Sequence, residues 1–70
     1  MVGKRFRLTR PMCAVVHRDG KSCVATIPED SVLVVDSIHD GNRILLVHWG
    51  AEKMFVFAED LAERATTGDD

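Results

Sequence analysis

Short apolar, β-branched runs alternate with compact polar breaks along this chain. Arg18-Asp19-Gly20-Lys21, His39-Asp40-Gly41-Asn42 and Trp49-Gly50-Ala51-Glu52 each separate two such runs. Asp-Gly between strand-like segments is a strong hairpin signal. The pattern predicts consecutive antiparallel strands over residues 12–18, 21–27, 32–38, 43–49 and 53–57, with Pro28-Glu29-Asp30 as a turn. Ahead of them, residues 4–10 alternate cations with Phe6 and Leu8 in the manner of a half-buried strand, and Pro11 interrupts that ladder because it has no N–H to donate. Ala58-Glu59-Asp60-Leu61 is too short for a stable α-helix and predicts one 3₁₀ turn. Ala62-Glu63-Arg64 is then a brief closing strand, and residues 66–70 are expected to form a flexible, frayed C-terminal tail.

Turn length sets register, and register sets which side chains share a face. A two-residue Asp19-Gly20 turn pairs Arg18 with Lys21, His17 with Ser22, Val16 with Cys23 and Cys13 with Thr26. Cys13 and Cys23 then point to opposite faces, so they are expected as free, partly buried thiols, consistent with a reducing, cytoplasmic setting. A three-residue His39-Asp40-Gly41 loop would put Val35 opposite Leu45 and Leu33 opposite Val47. The Gly50-Ala51 turn sets Leu45 opposite Val56 and Val47 opposite Met54. One face therefore carries Leu33, Val35, Leu45, Val47, Trp49, Met54 and Val56. The other carries Val32, Val34, Ile44, Leu46, Phe55 and Phe57, edged by Asp36, His48 and Lys53.

Apolar residues at consecutive positions mean that both faces favour burial. The polar margin makes the second face the outer one. Six exposed aliphatic and aromatic side chains exceed the patch a monomer usually tolerates, so Val32, Val34, Ile44, Leu46, Phe55 and Phe57 are the candidate interface of a homo-oligomer. The alternative is cover from within the chain, by bent strands or by the 12–27 hairpin folding over the sheet.

Seventy residues make one domain, here residues 1–65, close to the lower size at which a single core suffices. With 46% hydrophobic residues and a net charge of −2, the chain reads as globular and soluble. No apolar stretch approaches membrane-spanning length and no leader-type apolar region follows Met1-Val2-Gly3-Lys4-Arg5, so no membrane partner is expected.

Chemistry is sparse. Cys13 and His17 share a face but stand about 13 Å apart on a strand, and Cys23 faces away, whereas zinc needs donors within about 2.3 Å of one point. No metal or cofactor is expected. No Ser/His/Asp order, nucleophile elbow or glycine-rich phosphate loop occurs, and Glu59, Asp60 and Glu63 read as a solvated edge. His39 belongs to a turn and His48 to a sheet surface. Lys4, Arg5, Arg7 and Arg10 gather four of nine cations beside Phe6. With Arg18 and Lys21 at the hairpin tip, they form a candidate nucleic-acid edge that could track phosphates. The acidic balance and the lack of several stacking aromatics argue against it.

The order of these elements resembles the SH3-like small barrel: a first strand, the long 12–27 excursion, a turn before Val32-Leu33-Val34-Val35, a three-strand meander, one 3₁₀ turn and a short last strand. It is similar to small bacterial SH3-like proteins of no assigned activity. The resemblance implies an all-β barrel of five to six antiparallel strands and transfers no function. Peptide-binding SH3 domains use a tyrosine-rich groove, and this chain has no Tyr. Plasmid-borne dihydrofolate reductases on this barrel use a Gln-Ile-Tyr triplet where Met54-Phe55-Val56-Phe57 stands here. The expectation is a non-enzymatic binding or structural module that self-associates or takes a protein partner. A nucleic-acid-binding barrel comes second and an enzyme built in an oligomer pore third.

Overall fold

Asp19 and Gly20 both adopt left-handed backbone, with φ of 52° and 75°, and reverse the chain in two residues with the twist that suits flanking strands. The computed structural model, which describes residues 2–67, places this turn between β2 (Met12–Arg18) and β3 (Lys21–Ile27), paired as the sequence implies from Arg18↔Lys21 to Met12↔Ile27. The remaining strands are β1 (Arg5–Leu8), β4 (Val32–His39), β5 (Ile44–Trp49), β6 (Glu52–Phe57) and β7 (Ala65–Thr67), with α1 (Ala58–Arg64) before the last. All pairings are antiparallel, and the seven strands form one open sheet in the order β3-β2-β6-β5-β4-β1-β7. The fold is all-β, with seven strands where five to six were expected. Among the described residues, no helix is long and apolar enough to cross a membrane.

The β5–β6 register is the expected one: Leu45↔Val56, Leu46↔Phe55 and Val47↔Met54. The β4–β5 connection differs. Its loop has four residues, Asp40 to Arg43, with Asp40, Gly41 and Asn42 all at positive φ. Ile38 consequently pairs with Leu45 and Ser37 with Leu46. Continued unbroken, that register would turn Val35 and Leu33 outward. A bulge at Asp36 inserts one residue into β4 and restores the phase, so that Val35 meets Val47 rather than Leu45.

The inner face holds a single core of Leu8, Met12, Ala14, Val16, Ile27, Leu33, Val35, Leu45, Val47, Met54, Val56 and Leu61. It includes all of the expected inner set except Trp49, which is half-buried against it. Leu8 and Ile27, from strands near opposite ends of the sheet, are both fully buried in this cluster, which requires the sheet to curl.

Two further expectations are corrected. Residues 58–64 form a seven-residue α-helix in place of a 3₁₀ turn and closing strand. Burial of Leu61 anchors it, and Glu59 and Asp60 in the first turn with Arg64 in the last suit its dipole. The closing strand is β7, which takes Thr66 and Thr67 out of the expected frayed tail by pairing Leu8↔Ala65, Arg7↔Thr66 and Phe6↔Thr67. Residues 68–70 of that tail lie outside the described residues.

Candidate functional site

On the outer face, residues opposite one another in successive ladders line up as Ser37, Leu46, Phe55, Val15 and Val24, running from β4 through β5, β6 and β2 to β3. A second row, His39, Ile44 and Phe57, lies beside it. The 12–27 hairpin therefore widens the sheet through Val15↔Phe55 instead of folding over this face. Val24 stays 74% exposed and Phe57 56%.

A shallow depression of about 280 Å³ opens here, lined by Val15, His17, Ile44, Phe55, Val56 and Phe57. Two imidazoles stand edge-on to Phe55, His17 with its centroid at 5.4 Å and His39 at 5.7 Å. Each is oriented by a serine: Ser22 Oγ lies 3.0 Å from His17 Nδ1, and Ser37 Oγ 2.8 Å from His39 Nε2. His17 is the polar member of an otherwise apolar lining, and His39 flanks Phe55 from β4.

The six candidate interface residues all lie on this outer face, but not as one patch. The bulge projects Asp36 onto it, where the carboxylate accepts a hydrogen bond from His48 Nε2 at 3.0 Å and sits 3.6 Å from Lys53 Nζ. The His48 hydrogen bond holds the Asp36 carboxyl below its ordinary range; partial desolvation opposes this, and the Lys53 charge adds to the lowering. This polar cluster, expected at the margin, separates Ile44, Leu46, Phe55 and Phe57 from Val32 and Val34. Those two valines pair with Arg7 and Arg5 on β1. Val15, Val24, His17 and His39 are the members that the sequence pattern did not single out. The hairpin register already puts Val15 opposite Val24, but only the β2–β6 pairing brings them beside Phe55.

The candidate nucleic-acid edge is dispersed. Lys4, Arg5, Arg7 and Arg10 belong to β1 and its flanks, whereas Arg18 and Lys21 sit at the β2–β3 tip, with β6, β5 and β4 between β2 and β1 in the sheet. Arg7 is paired with Asp30 at 3.2 Å and Arg18 with Glu52. Cys13 and Cys23 are free and face opposite ways, but both are exposed rather than partly buried: Cys13 points to the outer face, and Cys23 lies on the edge strand β3. Among the described residues no group of three His, Cys, Asp or Glu side chains converges to hold a metal ion.

Comparison of the chain with protein-family models, curated proteins and solved structures finds no match.

Proposed function

We propose that this protein is a non-enzymatic, SH3-like small-barrel module that self-associates through the apolar outer face formed by Leu46, Phe55, Val15 and Val24 with Ile44 and Phe57. The observation that carries the reading is the aligned row itself: four consecutive strands contribute an apolar side chain to one line across the outside of a sheet whose inside is already filled. Such a face lowers its free energy by meeting an apolar counterpart. A copy of the same face is the simplest one.

The SH3-like reading is supported by the element order, in which a long hairpin follows the first strand, a three-strand meander follows the hairpin, and one short helix precedes a short last strand. Two exposed free thiols suit a reducing, cytoplasmic setting.

Light scattering on the wild type at micromolar concentration should give a mass that is a multiple of the 7.8 kDa chain. Leu46→Glu, which puts a charge into the middle of the contact, should lower that mass while leaving the β circular-dichroism spectrum intact. A monomeric wild type would remove the proposal.

A further inference from the structure

We propose that two copies also join edge to edge, β3 against β3, antiparallel and centred on Val24, so that two sheets become one. This extends self-association from the outer face to the sheet edge, and rests on that reading only in taking a second copy as the partner. The edge is described by backbone geometry that the face does not share.

The phase of hydrogen bonding in the hairpin decides which groups are free. A two-residue turn makes its flanking residues, Arg18 and Lys21, a hydrogen-bonded pair, and alternation then makes Val16:Cys23, Ala14:Ala25 and Met12:Ile27 the other bonded pairs. Ser22, Val24 and Thr26 consequently aim their N–H and C=O groups away from β2. β3 has no other neighbour in the sheet. Each of the three residues has both groups to offer, since none is proline.

Those positions are symmetric about Val24. A two-fold axis through Val24 sets Ser22 opposite Thr26 of the second copy, Val24 opposite Val24 and Thr26 opposite Ser22, and all three are hydrogen-bonded pairs, so every free group finds a partner. The side chains agree with that register. Ser–Thr and Val–Val are favourable cross-strand neighbours, and no like charges face each other. The one charge of the strand, Lys21, stands opposite the apolar Ile27 of the other copy. The row of the outer face would continue across the seam, Val24 meeting Val24.

Natural edge strands are usually short, kinked, or guarded by proline or inward-pointing charge. β7, the opposite edge, has three residues. β3 has seven, with no bulge and no proline, and its one charge is at its first position.

Two variants test the pairing. Val24→Pro deletes the central N–H, which in the isolated chain faces solvent, so the fold tolerates it while the seam does not. Its mass by light scattering should fall below that of the wild type, with the circular-dichroism spectrum retained. Ala25→Cys tests the register, because Cys23 of one copy lies opposite residue 25 of the other in a non-hydrogen-bonded pair, with Cα atoms about 4.5 Å apart, within disulfide reach. Mild oxidation should convert it nearly completely to a covalent dimer, and Cys23→Ser should abolish the cross-link.

If Val24→Pro unfolds, the cross-link decides. No cross-link, with Val24→Pro (where folded) at wild-type mass and Leu46→Glu still lowering it, overturns the edge pairing and leaves the face. Cross-linking with Leu46→Glu at wild-type mass removes the face and supports the edge. A monomeric wild type overturns both.

Discussion

Asp36 takes part in two of the four ion pairs among the described residues, with His48 and with Lys53. Its carboxylate is held below the ordinary aspartate range, chiefly by the hydrogen bond from His48. Because the folded state releases this proton more readily than the unfolded chain, the interaction stabilises the fold fully above the unfolded pKa. That contribution is lost as pH falls through the lower, folded value. An NMR titration should therefore place the Asp36 midpoint below that of an exposed aspartate, and His48→Ala should move it upward. An unshifted midpoint in the wild type would contradict this account. The sequence pattern already set Asp36, His48 and Lys53 together at the edge of the outer face, but it did not place them between two apolar patches, because that position depends on the bulge at Asp36. The orientation of Cys13 and Cys23, by contrast, was readable, because it depends only on the two residues between β2 and β3. The exposure of Cys23 was not, because it depends on how far the core extends beneath the edge strand.

At the scale of the element, hairpins with two-residue turns were legible to the exact pair, whereas the β4–β5 pairing was not. Loop length and a bulge shift register in compensating ways, and the apolar pattern constrains only their sum. Hence the membership of the inner face held while the partner of Val35 changed. The helix escaped for a related reason. Seven residues do not hold a helix by propensity, and α1 persists through contacts distant in sequence. Leu61 is 1% exposed, the Arg64 carbonyl accepts the Thr9 N–H at 2.7 Å and its hydroxyl at 3.0 Å, and the Ala58 N–H donates to the Arg43 carbonyl at 2.8 Å. Leu61→Ala should cost about 2–5 kcal/mol in urea unfolding, the range for emptying a buried leucine site. A loss well under 1 kcal/mol would mean that α1 is dispensable to the core.

At the scale of the molecule, the inner and outer faces were legible as sets, because a filled core and a second apolar surface follow from strands that are apolar at successive positions. The breadth of the outer surface was not, since it needed β2 to dock on β6. The same arrangement separates the cations of β1 from those of the hairpin tip. Short DNA or RNA should accordingly bind negligibly at physiological salt, by fluorescence anisotropy. Micromolar affinity that falls steeply with salt and weakens in Arg5→Ala/Arg7→Ala would favour a nucleic-acid barrel instead. One topological feature also governs how the molecule comes into being. β1 lies between β4 and β7, so its two ladders join segments far apart along the chain, whereas the hairpins β2–β3, β4–β5 and β5–β6 close locally within microseconds. Long-range pairing must lose loop entropy before its contacts form. The slow events in folding are then the non-local pairings, β2 on β6 and β1 between its two neighbours, and until the last residues of β7 have left the ribosome, Leu8 has only one of its two neighbouring strands to hold it in place.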